Sequence, residues 1–120
     1  MAAMPWTVLI VDDHEGFRAG ARALLEADGF DVIGEAADGA SAVAQARRLR
    51  PEVVLLDVGL PGLDGFEVAA ILAAEPVAPA VVLVSSRSRR AYRAKLAATP
   101  ARAFVTKEEF SGECLTSLLR

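Results

Sequence analysis

The sequence predicts a doubly wound α/β domain, five βα units around a five-stranded parallel sheet with helices on both faces. Three observations predict it. Short apolar runs alternate five times with longer segments of helical period. Two of the runs, Val53-Val54-Leu55-Leu56 and Ala80-Val81-Val82-Leu83-Val84, are uninterrupted aliphatic stretches, the pattern of strands covered on both faces. The chain, 120 residues that are 53% hydrophobic and 24% charged, is long enough to bury one core without disulfides or structural metal. Residues 1–120 are therefore read as a single domain, with no repeat, linker or low-complexity tract.

The elements follow in order. β1 is Thr7-Val8-Leu9-Ile10-Val11, and a helix α1 from about Glu15 to Ala27 closes at Asp28-Gly29. β2 is Asp31-Val32-Ile33-Gly34-Glu35-Ala36. α2 runs from Ala40 to Arg50, with Val43, Ala46 and Leu49 inward and Arg47, Arg48 and Arg50 outward, and Pro51 ends it. β3, Val53 to Leu56, is expected at the sheet centre. The loop Gly59-Leu60-Pro61-Gly62 leads to α3, from about Asp64 to Ala74, and β4 is Ala80 to Val84. A weakly apolar α4 is expected from about Ser88 to Ala98, then β5 at Ala103-Phe104-Val105, then α5 from about Glu108 to Leu119. Thr106 with Glu109 matches a capping box for that last helix.

Composition excludes several function classes. A net charge of −3 and a pI near 5.1 give no general attraction to nucleic acid or anionic lipid. Nucleic acid is thus expected only through a further segment absent from this chain, and no membrane partner is expected. The lone Cys114 rules out an internal disulfide and, with a single histidine, leaves no zinc cluster; a reducing, cytoplasmic location fits. The start Met1-Ala2-Ala3-Met4-Pro5-Trp6 has no basic region, and the apolar stretch after it ends at two aspartates, so no signal peptide is read. No apolar run approaches the roughly 18 residues that cross a bilayer.

In doubly wound sheets, sites form outside the carboxyl ends of the strands, near the switch point of strand order. The sequence puts its unusual polar residues there. Asp12 and Asp13 follow β1, Asp57 follows β3, Ser85 follows β4 and Lys107 lies just beyond β5, while the β2 end contributes nothing obvious. In the flavodoxin-like order 2-1-3-4-5, β1 and β3 are neighbours, so the three aspartates converge. Three adjacent carboxylates repel and must protonate, pair with cations or bind metal; an all-oxygen set favours a hard ion such as Mg²⁺. Phosphoryl transfer suits such a site, with Lys107 supplying compact positive charge and Ser85 a hydroxyl. Taken singly, each residue has a structural reading: Asp12 or Asp13 as a helix N-cap, Asp57 as a turn residue, His14 as a helix-start residue. The combination points to chemistry.

The blocks Val8-Leu9-Ile10-Val11-Asp12-Asp13-His14, Val54-Leu55-Leu56-Asp57-Val58-Gly59-Leu60-Pro61-Gly62-Leu63-Asp64-Gly65, Val84-Ser85 and Phe104-Val105-Thr106-Lys107 resemble the motifs of response-regulator receiver domains across nearly the whole chain. The Asp12-Asp13-His14 start is similar to receivers that carry a LuxR-type helix-turn-helix output domain. The resemblance implies a bacterial two-component phosphorelay and transcription regulation. Asp57 would take the phosphoryl group from a phosphohistidine on a sensor histidine kinase or phosphotransfer protein. Asp13, Asp57 and the Gly59 carbonyl would hold Mg²⁺ directly, and Asp12 largely through water. Ser85 and Lys107 would contact the phosphoryl group and draw the β4–α4 loop inward. Such a receiver catalyses only its own phosphorylation and dephosphorylation. Phe104 matches the aromatic switch position, or is plain core; as a switch it has no hydroxyl to report its state. The α4–β5–α5 face would contact partners or form a homodimer on phosphorylation.

Some features depart from that pattern. The segment Arg87 to Lys95 carries Arg87, Arg89, Arg90, Arg93 and Lys95, read first as a solvated face, with Glu108, Glu109 and Glu113 as complements in a partner-contact reading. Ala98-Thr99-Pro100-Ala101 replaces a glycine-containing turn, and Glu108 stands where many receivers have proline. Gly59 and Arg87 occupy positions that tune dephosphorylation in the family. Two rival readings are a haloacid-dehalogenase-type magnesium phosphohydrolase, which needs a second aspartate where Gly59 stands, and a flavin or nucleotide module, for which no Gly-rich loop follows β1.

Overall fold

Alternation along the strands sorts the apolar side chains into two layers, and this positions everything at the strand ends. The computed structural model describes residues 6–119; Met1–Pro5, on which the reading of no signal peptide largely rests, lies outside them, as does Arg120. β1 (Thr7–Val11), β2 (Asp31–Ala36), β3 (Val53–Asp57), β4 (Ala80–Ser85) and β5 (Ala103–Thr106) form one parallel sheet in the order β2-β1-β3-β4-β5. The helices are α1 (Glu15–Ala27), α2 (Gly39–Leu49), α3 (Gly65–Ala73), α4 (Arg93–Ala98) and α5 (Gly112–Leu119). The predicted fold and order are observed. Among the described residues no helix is long and apolar enough to cross a membrane.

One layer joins Val8, Ile10, Val53, Leu55, Val82, Val84 and Val105 to Ala21 and Leu25 of α1 and Leu115 and Leu119 of α5. The other joins Leu9, Val11, Val54, Leu56, Val81, Leu83 and Phe104 to α2 and α3. Each fully buried aliphatic side chain stabilises by roughly 1.5–3 kcal/mol, so both faces of the sheet are held firmly. Continuing the alternation past the strand ends assigns Asp12, Asp57 and Lys107 to the α1/α5 layer and Ser85 to the α2/α3 layer. Sequence register at the carboxyl edge is thus a chemical sorting device.

Local signals set the boundaries. Asp38 caps α2 by accepting from the Ser41 N–H at 2.7 Å, and Arg50 closes it in the left-handed region (φ 50°). At α3, Asp64 and Glu67 form a capping box, with Asp64 Oδ1 accepting from the Glu67 N–H at 2.9 Å. This cap brings Gly65 against the backbone after Asp57: its N–H donates to the Val58 carbonyl at 2.9 Å. A Cβ there would lie 2.5 Å from the Asp57 carbonyl oxygen and 2.8 Å from Val58 Cα. Gly65→Ala is expected to destabilise by about 2–4 kcal/mol, since backbone rather than a flexible side chain must move. Denaturant unfolding checks this, and a loss below about 1 kcal/mol would show that the α3 start yields freely.

Two predicted elements need correction. The helix expected over Ser88 to Ala98 is a 3-10 turn, Arg89–Tyr92, followed by the short α4. Neither piece has a buried residue; only Tyr92 and Leu96 pack against the core, too little apolar surface to hold a long regular helix. α5 begins at Gly112, not Glu108. The Thr106–Glu109 box exists, with the Thr106 hydroxyl donating to Glu109 Oε1 at 2.8 Å, but it caps a turn. That turn buries Phe110 against Phe17 at a ring separation of 6.2 Å, after which Ser111 caps the helix proper by accepting from the Cys114 N–H at 3.0 Å. In the glycine-free connection, Thr99 Oγ1 accepts from the Ala101 N–H at 3.2 Å and so closes the turn.

Candidate functional site

Asp12, Asp57 and Ser85 are the buried polar residues among those described. Asp12, fully buried, is fixed by backbone bonds: its N–H donates to the Ala36 carbonyl at 3.0 Å, and its Oδ1 accepts from the His14 N–H at 2.8 Å. His14 is the residue preceding α1, and its Nδ1 lies 3.1 Å from both Asp12 Oδ1 and Asp13 Oδ1. Asp57 ends the central strand. Lys107 reaches back over the edge, placing Nζ 2.8 Å from Asp12 Oδ2 and 3.9 Å from Asp57 Oδ1. Its ammonium also sits 4.5 Å from the centroid of the Phe17 ring, which meets it from the α1 side.

Asp12 Oδ2, alone among buried side-chain polar atoms of the described residues, has no hydrogen-bond partner and is held instead by the ion pair with the Lys107 ammonium. A buried carboxylate oxygen is tolerated only beside positive charge, which Lys107 supplies here and a metal ion would add to. Asp12, Asp13, His14 and Asp57 each present a ligand atom within 4.8 Å of the others. Three carboxylates against a single ammonium fit a hard divalent ion such as Mg²⁺, with His14 an addition the sequence reading left outside the set.

Burial first, then the charge of Asp12, pushes the Asp57 carboxyl above its usual range; Lys107 and the Gly59 amide oppose this, and Asp13 adds to it. In metal-free protein the Asp57 carboxyl is therefore expected to titrate above ordinary aspartates, and Asp12→Asn is expected to lower its midpoint. Carbon-13 NMR of the carboxyl checks both. A wild-type midpoint in or below the ordinary range removes burial as the controlling effect.

The structure therefore brings Asp12, Asp13, Asp57 and Lys107 together and sets Gly59 beside Asp57. Ser85 and Phe104 lie in the other layer. The Ser85 hydroxyl pairs with the Tyr92 hydroxyl at 3.0 Å and accepts from the Arg87 N–H at 3.0 Å, and Phe104 is buried beneath Tyr92. The β2 end does contribute: Glu35 accepts from Arg18 Nε at 3.0 Å and Arg22 Nε at 2.8 Å, and Arg18 Nη1 donates to the Asp12 carbonyl at 2.6 Å. Burial pushes the Glu35 carboxyl up, but Arg22 and Arg18 outweigh it and hold it below its usual range. Arg18 and Arg22, four apart on α1, were a legible sign of this brace. Tyr92 and Phe17 carried no such sign, because an aromatic residue among apolar neighbours reads as ordinary packing whatever it touches.

A family model described as response regulator receiver domain matches residues 8–119. Protein-glutamate methylesterase/protein-glutamine glutaminase 6 of Anaeromyxobacter dehalogenans is 45% identical over 106 residues, 88% of this chain and 30% of its own length. The nitrate/nitrite response regulator protein NarP of Escherichia coli is 42% identical over 84 residues, 69% of this chain and 39% of its own. The signal receiver domain of NarL from Mycobacterium tuberculosis superposes with a TM-score of 0.86 at 33% identity, covering 98% of this chain and 95% of that one. The chain spans about half or less of the length of the curated relatives it matches.

Proposed function

The chain belongs to the response regulator receiver domain family, and from that premise we propose that Asp57 accepts a phosphoryl group from the phosphohistidine of a sensor histidine kinase or phosphotransfer protein, in a Mg²⁺-dependent transfer. One observation carries the reading: the buried Asp57 carboxylate stands beside Asp12, whose Oδ2 lacks a hydrogen bond, with Lys107 Nζ bridging the two. Asp57 is the nucleophile; its carboxylate forms the P–O bond as the P–N bond to histidine breaks. Asp13, Asp57 and the Gly59 carbonyl would hold the metal, and the Asp12 carboxylate would add negative charge beside it. When bound, magnesium offsets the charge shared between carboxylate and phosphoryl oxygens. Lys107 lies within reach of both aspartates and takes over a phosphoryl oxygen, and Ser85 donates its hydroxyl to another.

On this reading residues 1–120 act as one receiver domain, in the cytoplasm, catalysing only their own phosphorylation and dephosphorylation. Charge appearing on Asp57 biases the β4–α4 loop, the Arg-rich segment and Phe104, and through the α4–β5–α5 face favours a homodimer or a partner. Contact with nucleic acid belongs to an output domain rather than to this acidic one. A haloacid-dehalogenase-type hydrolase is not favoured, since Gly59 stands where that chemistry needs its second acid. Intact-mass analysis after incubation with acetyl phosphate and Mg²⁺ is expected to show a single phosphoryl adduct that EDTA prevents. A chain that forms no adduct with acetyl phosphate or with any histidine kinase, or that turns over phosphate esters, sinks the proposal.

A further inference from the structure

Strand alternation separates Ser85 from the carboxylates it would serve. Leu83 pairs with Phe104 across β4 and β5, and Ser85 continues the Leu83 side, so its hydroxyl begins in the α2/α3 layer, whereas Asp57 continues the Leu55 side. There the hydroxyl meets Tyr92, whose ring lies between Phe66, at 5.6 Å, and Phe104, at 5.9 Å. Tyr92 belongs to the 3-10 turn, in which no residue is fully buried, so its ring and its hydroxyl, with Arg89 Nη2 donating to the Phe104 carbonyl at 2.8 Å, are what hold the turn down. The phenol that Phe104 lacks is thus supplied from a different element.

We infer that Tyr92 is a positioning residue for Ser85: its hydroxyl holds Ser85 Oγ in the α2/α3 layer of the unmodified domain, and phosphorylation of Asp57 breaks this bond and loosens the turn. The inference rests on Asp57 as the phosphoryl acceptor. A serine hydroxyl has one proton and two lone pairs. The Arg87 amide occupies one lone pair, and Tyr92 holds either the other or the proton. A phosphoryl group brings acceptor oxygens that draw the Ser85 proton into a charge-assisted bond stronger than the neutral hydroxyl pair. Because Oγ must rotate from one layer towards the other to reach it, either proton arrangement with Tyr92 is lost. By reciprocity, a bond present only before phosphorylation opposes phosphorylation. The segment that is loosened carries Arg87, Arg89, Arg90 and Arg93, so the event changes how firmly that positive charge is held in place.

Tyr92 is the sole tyrosine of the chain, so 3-fluorotyrosine incorporation yields one fluorine-19 resonance. That resonance is expected to move when acetyl phosphate and Mg²⁺ generate the adduct, and to be displaced already in unmodified Ser85→Ala. Tyr92→Phe, which keeps the ring stack and hence the fold, is expected to raise the ratio of phosphorylated to free protein at limiting acetyl phosphate by about 2- to 10-fold. A resonance unmoved by a confirmed adduct overturns the inference while leaving Asp57 as acceptor, and so does a Tyr92→Phe ratio that is unchanged or lower. Absence of an adduct in the wild type overturns the Asp57 reading, and this inference falls with it.

Discussion

Asp57→Asn is expected to abolish the phosphoryl adduct and, in EDTA at neutral pH, to raise the thermal unfolding midpoint by roughly 2–6 °C. The gain comes from a charge that the fold disfavours. Burial and then the Asp12 carboxylate raise the Asp57 pKa above its unfolded value. A carboxyl raised in this way contributes stability that is fully present below the unfolded pKa and is lost as pH rises through the folded one. At neutral pH the ionised side chain therefore weakens the domain, and a neutral amide of the same shape does not. The difference between the two proteins is expected to shrink as pH falls through the raised Asp57 value towards the ordinary aspartate range. Mg²⁺ is expected to reverse the order by stabilising the wild type more than the variant. Calorimetry with and without Mg²⁺ measures both; a variant less stable than wild type in EDTA at pH 7 would mean that Lys107 fully compensates Asp57.

Removing the compensating cation acts in the opposite direction. Lys107→Met is expected to lower stability by about 2–4 kcal/mol in EDTA, because it leaves Asp12 and Asp57 buried and facing each other. The figure stays at the low end of losses from broken buried pairs since Lys107 is a fifth exposed. Methionine is of similar length and apolar, so the loss reads mainly the ammonium, including its contact with the Phe17 ring. Mg²⁺ is expected to recover much of it, and Asp12→Asn in the same chain is expected to recover it without metal, a non-additivity that a double-mutant cycle reads directly. Adduct formation is expected to fall more than tenfold even with Mg²⁺, because the positive charge nearest Asp57 has gone. Urea unfolding of the four proteins checks the first part and intact-mass time courses the second. Equal stability of Lys107→Met and wild type in EDTA would strip the Lys107–Asp12 contact of energetic weight.

The carboxylate end of this site was legible in the sequence for a simple reason. Val8 to Val11 and Val53 to Leu56 are strands because they are aliphatic runs, and the first polar residues after them, Asp12 and Asp57, must stand at the edge where the chain leaves the sheet. Lys107 was legible in the same way, two residues past Val105. Boundaries decided by weak local preferences were not. The Arg-rich segment has helical composition but little to bury, and the Thr106–Glu109 box looks the same whether it caps a helix or a turn.

The sequence by itself determined the strands, their contents and which chemical groups stand at their carboxyl ends, because these depend on the two-residue period of a strand and on residues adjacent in the chain. Which of those groups meet depends on how the layers pack. Ser85 is bound to Tyr92, Lys107 rests on Phe17, Arg18 and Glu35 brace the backbone of Asp12, and Asp12 Oδ2 is left without a hydrogen bond. A hydrogen bond or an ion pair acts over about 3 Å, and packing of the layers sets such distances whether the partners are far apart in the chain, as Lys107 and Phe17 are, or six residues apart, as Arg18 and Asp12 are. Composition and periodicity say which layer a residue enters, and packing alone says what it touches there.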